Sequence, residues 1–196
     1  MLNGNRLSRF GAIASVLGTA WISTGVLAQE TYTVDNTHSS AIFRVKHNQV
    51  SYFYGRFNEV GGTFKLDATN PDKSVVRIEV KTESIDTNSE SRDKHLKSPD
   101  FFNAKENPTI SFASTEVRKA GENRYEVTGD LILCGVTQIV TIPVEWVGSG
   151  TDQRGTKIAG IEAVFTIKRG EFGMTYGAGG IGNDVRLMFG LEGAAQ

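Results

Sequence analysis

The residues best able to perform chemistry are few and widely spaced. The chain has three histidines and one cysteine. His38 and His47 lie nine positions apart on or beside one predicted strand, and an odd spacing puts them on opposite faces. No His-x-His, His-Glu-x-x-His or Gly-x-Ser-x-Gly pattern occurs, and the glycine-rich segment 177–182 does not lie between a strand and a helix. The sequence therefore predicts neither catalysis nor a metal site.

Cys134 cannot form an internal disulfide, because it is the only cysteine. It lies in a short connection between two alternating segments, which favours a turn or packing role. A reactive thiol is the alternative, although no His or Lys is adjacent in sequence to lower its pKa.

Two groups of polar residues could contact a polar ligand. Asp35, His38 and Ser39 occur together at a predicted strand start, where side chains tend to reach the rim of a barrel. Arg169 and Glu171 follow the end of another strand. Arg169 could bind a phosphate or a quinone-type oxygen through two hydrogen bonds. The alternative, which we favour, is a structural ion pair of Arg169 with Glu171 or Asp35.

Alternation of apolar and polar residues dominates the segments that must position these groups. Between Arg124 and Trp146 apolar residues recur at every second position on both sides of Cys134-Gly135. This pattern predicts a β-hairpin with one dry face and one wet face, and the glycine suits the tight turn. Similar alternation predicts strands near 32–34, 40–47, 63–67, 74–85, 109–119, 157–168 and 185–191, with an ambiguous aromatic stretch at 50–57.

Only Ser89–Lys97 favours a helix, with Ser89 as N-cap and Pro99 beyond its end. About eight strands joined by mostly short connections predict an antiparallel sandwich or barrel. An eight-stranded barrel has room inside for side chains alone or for one small ligand. Ala159 and Ala163 are small inward residues that favour a cavity weakly.

The N-terminal residues have the pattern that is typical of a secretory signal peptide. Arg6 and Arg9 precede an apolar run from about Phe10 to Leu27, and Ala28 completes a small-residue cleavage pattern. We therefore expect residues 1–28 to be removed and residues 29–196 to form one domain in a bacterial periplasm. An uncleaved anchor helix is the alternative.

Composition limits the classes of partner. The chain has 21 Lys and Arg against 22 Asp and Glu, and the signal segment holds Arg6 and Arg9 but no acidic residue. The remaining chain is therefore mildly acidic. This composition predicts no nucleic-acid binding and indicates no attraction to anionic lipid surfaces. No later apolar run is long enough to span a membrane, so we expect no stable insertion.

Four segments in chain order resemble the YceI family of secreted, lipocalin-like proteins. They are residues 32–47 with Asp35 and His38-Ser39, residues 91–102 with Arg92-Asp93 and Phe101-Phe102, residues 129–137 with Gly135-Val136-Thr137, and residues 169–185 with Arg169-Gly170-Glu171-Phe172-Gly173. The resemblance implies an all-β fold, an antiparallel eight-stranded lipocalin-like barrel with a short helix at one end. It also implies an apolar tunnel that holds a polyisoprenoid chain, with no catalysis, no metal and no cofactor.

Inward positions of the strands and apolar residues after the helix are the candidate tunnel wall. Leu96, Phe101 and Phe102 would either cap one barrel end or form a lid over the entrance. Asp35, His38, Ser39 and Arg169 are the candidate polar rim. The predicted wall comprises Phe43, Val45, Val76, Ile78, Val80, Leu96, Phe101, Phe102, Phe112, Leu131, Leu133, Val140, Ile142, Val144, Trp146, Ile161, Ala163, Phe165, Ile167, Leu187 and Phe189.

Three functions from different classes fit these features. The first is a periplasmic carrier or reservoir for an isoprenoid lipid. The second is a binder of another amphiphile, such as a fatty acid or fatty amide. The third is a stress-induced structural or interaction protein whose cavity is incidental. A homodimer is compatible with each of them.

Overall fold

The structure, a computed structural model, describes Met1 and residues 30–196. Apart from Met1, the predicted signal peptide and its cleavage point lie outside the described residues. The strands are β1 (Tyr32–Val34), β2 (Ser40–His47), β3 (Ser51–Phe57), β4 (Val60–Lys65), β5 (Val75–Lys81), β6 (Ile85–Asp86), β7 (Thr109–Lys119), β8 (Arg124–Leu133), β9 (Val136–Thr151), β10 (Lys157–Lys168) and β11 (Ile181–Ala195), and the helix is α1 (Glu90–Leu96).

Eight of these strands form a closed antiparallel ring. Their order is β1-β4-β5-β7-β8-β9-β10-β11, and β11 pairs with β1 to close it. The remaining strands β2, β3 and β6 extend from β11 along one side of the ring. The predicted all-β, eight-stranded, lipocalin-like barrel with one short helix is therefore confirmed.

One predicted strand is broken where the sequence predicts continuity. The predicted strand 74–85 divides into β5 and β6 at a 3₁₀ turn, Thr82–Ser84. The Thr82 hydroxyl donates to the carbonyl oxygen of Asn107 at 2.7 Å, which holds this turn against the segment before β7. Because of the break, β5 pairs with β4 and β7 while β6 pairs with β3.

The strand register defines two ends of the barrel. At the upper end the pairs Leu133↔Val136, Lys168↔Asp184 and His47↔Ile181 come together. The lower end holds Tyr32↔Ala195 and Thr151↔Lys157. The β8–β9 turn, the segment after α1 and the loop 173–180 all lie at the upper end.

The predicted hairpin turn at Cys134-Gly135 is confirmed. Both residues have positive φ, 52° and 74°, as a two-residue turn with a right-handed strand twist requires. The Cys134 thiol donates weakly to the Phe101 carbonyl oxygen at 3.5 Å and so joins the hairpin to the segment after α1. Burial raises the pKa of Cys134 to about 11, which supports the turn and packing role.

The helix α1 agrees with the predicted helix to within one residue at each end. Ser89 is its N-cap but makes no side-chain capping bond. The Asp93 carboxylate instead accepts a hydrogen bond from the Thr87 backbone N–H at 2.9 Å. This contact fixes the helix to the end of β6. No helix in the described part of the chain is long and apolar enough to cross a membrane.

Large aromatic rings fill the lower end. Phe64 is fully buried; its ring stacks on Tyr32 at 5.5 Å and meets Trp146 edge-on at 6.5 Å between centroids. Such pairs add to the free energy that area burial contributes. The lower end of the barrel is therefore a packed core.

We predict that Phe64→Ala destabilises the protein by about 3–5 kcal/mol, because it leaves a void in this packed core. Phe165→Ala is the matched control, since Phe165 is only partly buried on β10 and should cost clearly less. Urea unfolding of both variants measures the difference. Equal losses for the two phenylalanines would contradict the packed lower end.

Cys134 should alkylate slowly at neutral pH, because its thiolate forms only as the pH approaches about 11. The rate of reaction with iodoacetamide, followed by mass spectrometry, should keep rising with pH well beyond the ordinary thiol pKa of about 8.5. Urea-unfolded protein is the control and should reach its plateau near that ordinary value. The same plateau in folded protein would show that the thiol is not buried.

Candidate functional site

The upper half of the barrel contains one large cavity of about 500 Å³. Ligand sites for small molecules and lipids commonly measure about 300–1,000 Å³, so this volume suits one slender ligand. The residues of the predicted tunnel that the structure places in its wall are Phe43, Val45, Val76, Ile78, Val80, Leu96, Phe101, Phe102, Phe112, Leu131, Leu133, Ile142, Val144, Ile161, Ala163, Phe165, Ile167, Leu187 and Phe189. Their contact with a ligand stays a prediction.

The wall is apolar because the inward faces of the strands alternate as the sequence predicts. On β10, for example, Ile161, Ala163, Phe165 and Ile167 all face the cavity. Ala163 leaves room there that a larger side chain would fill. The cavity therefore exists partly because one position of this face carries a methyl group.

Two residues of the predicted wall lie elsewhere. Trp146 does not line the cavity but packs edge-on against Tyr32 and Phe64 at the lower end. Val140 is partly buried against the core outside the cavity wall. Alternation indicates which face a residue occupies but not its height in the barrel, and at Trp146 the strand β9 has already passed below the cavity.

Exposed residues that also line the cavity identify its mouth at the upper end: His47, Arg92, His95 and Tyr176. His95 and Tyr176 meet edge-on with centroids 5.0 Å apart, across the gap between α1 and the loop 173–180. Phe101 contacts both rings, at 5.1 Å from His95 and 5.2 Å from Tyr176. These three rings form the aromatic gate, and they bridge the two segments that border the mouth.

Arg92 lies in the cavity wall with its guanidinium 4.4 Å from the Phe53 ring centroid. Its Nε donates to the Thr87 hydroxyl at 2.8 Å and its Nη2 to the Thr87 carbonyl at 2.7 Å. An arginine has five N–H donors, so Arg92 retains donors for a polar group of a ligand.

Arg169 is almost fully buried, and the ion pair favoured from the sequence is wrong. Its guanidinium donates to three carbonyl oxygens, those of Gly182 at 3.0 Å, Met174 at 2.9 Å and Ile181 at 3.2 Å. Burial lowers the pKa of Arg169. The residue borders the cavity, and its bonds fix both ends of the loop that carries Tyr176.

Asp35, His38 and Ser39 do not lie in the wall or mouth of the cavity, contrary to their predicted place at the rim. They occupy the break between β1 and β2, where Asp35 caps a 3₁₀ turn by accepting from Thr37 N–H at 2.8 Å. The Ser39 hydroxyl bonds to the backbone of Glu192. These three residues do not reach an end of the barrel. They lie between β1 and β2, which both pair with β11, so their position is part-way along β11.

The same break brings three potential metal ligands together. Asp35, His38 and Glu192 place one ligand atom each within 4.8 Å of one another. His38 Nδ1 lies 2.7 Å from Asp35 Oδ2, and this hydrogen bond raises the pKa of His38 and lowers that of Asp35. The absence of a metal site stays a prediction.

Several cavity residues escaped the sequence analysis. Phe53 and Phe57 face inward on β3, but closely spaced aromatic residues obscured the alternation there. Met174, Tyr176 and Ile181 belong to a loop and a strand start, where no periodicity marks an inward side chain. In the sequence, only the bulky residues beside Gly177–Gly182 could have indicated that this loop contributes to the aromatic gate.

Comparison with known proteins agrees with this geometry. The YceI-like domain model matches residues 32–193. A UPF0312 protein of Pseudomonas aeruginosa is 40% identical over 185 residues, covering 93% of this chain and 96% of its own. BcnA of Burkholderia cenocepacia has the same fold, with a TM-score of 0.74 at 24% identity over 81% of this chain and 98% of BcnA.

A polyisoprenoid-binding domain from Saccharophagus degradans also shares the fold, with a TM-score of 0.64 at 16% identity over 86% of this chain and all of that domain. The family-model match extends from Tyr32 in β1 to Gly193 in β11, so it reaches every strand of the ring and every element that borders the cavity. The chain belongs to the YceI-like family.

Proposed function

We propose that the protein is a periplasmic carrier or reservoir that holds an isoprenoid lipid in its barrel. The observation that carries the proposal is the apolar cavity of about 500 Å³ that ends in a mouth with polar groups. The polyisoprenoid-binding domain of Saccharophagus degradans, which shares the fold, supports this choice of ligand. The basic and apolar pattern of residues 6–28 supports export to the periplasm.

The hydrophobic effect alone does not select the ligand. Burying each methylene from water is worth about 0.8 kcal/mol, but a membrane lipid is already out of water. Transfer from a bilayer to the cavity therefore gains little from burial. Cavity shape and polar contacts at the mouth must distinguish an isoprenoid from other lipids.

The mouth offers hydrogen-bond donors for a polar head group. Arg92 retains free N–H donors, and His47 and Tyr176 are exposed beside the opening. The chain would lie between inward phenylalanines such as Phe43 and Phe165, with its polar end at this mouth. This arrangement suits an isoprenoid with a phosphate or quinone-type end group.

Mass spectrometry of organic extracts from protein purified out of the periplasm tests the proposal. We expect an isoprenoid that is absent from extracts of the blocked variant described below. A fatty acid or fatty amide would instead identify a binder of another amphiphile. Protein that carries no lipid and takes none up from vesicles would contradict the carrier function.

Ala163→Trp should block the cavity and leave the barrel folded, because the indole enters space that no side chain fills. Ala159→Trp is the matched control: Ala159 faces inward on the same strand but is buried outside the cavity wall. There the indole should overpack the core and destabilise by about 1–3 kcal/mol or more.

Thermal unfolding and lipid extraction of both variants measure these effects. Wild-type amounts of long-chain lipid in a stably folded Ala163→Trp protein would show that the ligand does not pass this position. Severe unfolding of Ala163→Trp, comparable to that of Ala159→Trp, would show that the space beside Ala163 is not accessible.

Tyr176→Ala should accelerate lipid release about tenfold, since it removes two ring contacts of the aromatic gate, each worth about 0.5–1.5 kcal/mol. Tyr176→Phe keeps the ring and should release lipid at the wild-type rate. Transfer of a fluorescent polyprenyl analogue from protein to acceptor vesicles measures the rate. Identical rates in all three proteins would exclude the gate from the release step.

A further inference from the structure

The fold collects basic residues on one outer face beside the mouth. Arg44 and Lys46 point outward from β2, Arg56 from β3 and Arg186 from β11. We call these four residues the basic face. Its residues lie on adjacent strands, with Arg186 opposite Arg44 and Arg56 opposite Ile42.

No residue of the basic face forms an ion pair with any described residue. Elsewhere in the described chain, Lys97, Arg118, Arg124 and Lys157 each lie within ion-pair distance of a glutamate. These four cations therefore have carboxylate partners within the protein, which the residues of the basic face lack. Those of the basic face remain available to an external anion.

Arg44 and Arg186 face each other directly across β2 and β11. Like charges in this position destabilise a sheet unless an anion lies between or above them. Arg44 also has a buried Nε with no hydrogen-bond partner among the described residues, while its guanidinium lies 4.0 Å from the Tyr52 ring centroid. This arrangement suits a partner with a high density of negative charge.

Acidic residues lie only at the border of the basic face. Asp86 is opposite Arg56. Hydrogen bonds from Asn88 N–H and from the Asn58 side chain lower the pKa of Asp86 most, and the charge of Arg56 makes a smaller contribution in the same direction. Asp184 is opposite Lys168 on β10. The face keeps a net positive charge although the whole chain carries a formal charge of −1.

Exposed apolar and aromatic side chains adjoin these cations. Tyr52 and Tyr54 are each 54% exposed on the outer side of β3, and Val50 is 83% exposed in the β2–β3 turn. Tyrosine suits the membrane–water interface, because its ring is apolar and its hydroxyl is polar. Cations beside exposed tyrosines and an aliphatic turn fit the interface of an anionic bilayer better than a purely polar partner.

The same turn is joined to the loop of the aromatic gate. Asn48 N–H donates to the Gly180 carbonyl oxygen at 2.6 Å, and the preceding residue, His47, borders the mouth. A surface in contact with Val50 and Tyr52 would therefore lie beside the opening through which a lipid must pass. The position of the face relative to the mouth matches a transfer from membrane to cavity.

We propose that the basic face, with Val50, Tyr52 and Tyr54, docks the protein on an anionic bilayer surface. A second copy of this chain is a poor occupant, because a two-fold contact would bring the same cations together. Composition alone indicated no such attraction; the fold creates it by clustering. Docking adds to the carrier function but does not depend on which lipid the cavity holds.

Co-sedimentation with vesicles tests the docking surface. At low salt, wild-type protein should bind vesicles that contain phosphatidylglycerol and not vesicles of pure phosphatidylcholine, and added salt should release it. The double variant Lys46→Glu/Arg186→Glu should bind at least about tenfold more weakly, since each cation near an anionic surface contributes roughly fivefold.

The matched control is Lys119→Glu/Arg154→Glu, which changes the net charge equally at the lower end. It should bind like the wild type. Equal loss in both double variants, salt-independent binding, or no binding by the wild type would each overturn the docking surface. The salt series on wild-type protein decides the matter even if a variant fails to fold.

Vesicle binding by Ala163→Trp separates this proposal from the carrier function. Retained binding by that blocked variant supports docking whether or not the cavity proves to hold an isoprenoid. Loss of binding in a stably folded Ala163→Trp protein would overturn the basic face as the docking determinant, since that substitution lies inside the barrel.

Discussion

The short pairing of β1 with β11 closes the sheet, and the cavity depends on that closure. Only Tyr32, Thr33 and Val34 make it, opposite residues 193–195. Closure satisfies the backbone hydrogen bonds of every strand in the ring without any help from interior side chains. The barrel can therefore leave its upper half unfilled, provided that another part of the interior supplies the packing.

The rings of Tyr32, Phe64 and Trp146 at the lower end of the barrel supply this packing. Tyr32 serves both purposes, because its backbone closes the ring and its side chain packs on Phe64. The rings of Tyr32, Phe64 and Trp146 fill the base of the barrel, whereas the side chains above them line a cavity without filling it. Side chains therefore pack densely in the lower part of the barrel and leave the cavity open in the upper part.

Alternation predicts the ring, the inward faces and the hairpin at Cys134-Gly135, because a period of two follows directly from strand geometry. It does not predict height along the barrel, which explains the misplacement of Trp146. It also cannot reveal breaks such as the one after Val34, and so Asp35 and His38 were placed at a rim that they do not reach.

Arg169 shows a further limit of sequence reasoning. A charged residue near acids in sequence suggests an ion pair, but its actual partners are main-chain carbonyls that only the folded loop brings together. The sequence does not predict the aromatic gate for the same reason. His95, Phe101 and Tyr176 come from two distant segments and meet only because both segments end at the upper rim.

The mouth, the loop 173–180 and the basic face adjoin one another on one side of the upper end. The end of β2 and the β2–β3 turn contact all three. His47 borders the mouth, Asn48 bonds to Gly180 in the loop 173–180, and Val50 adjoins the basic face. Arg169 donates to the carbonyl oxygens of Met174 and Ile181 and so holds both ends of the loop that carries Tyr176. Docking of the basic face on a membrane, as proposed above, would place the membrane surface beside the opening of the barrel.

A crystal structure of protein isolated gently from the cells that produce it tests the central claim most directly. The account predicts continuous, narrow electron density that runs from the mouth at Arg92 down between Phe43 and Phe165 and stops above the ring of Phe64. Phenylalanine side chains turned inward so that they meet across the upper barrel, with no passage wide enough for a hydrocarbon chain, would contradict it.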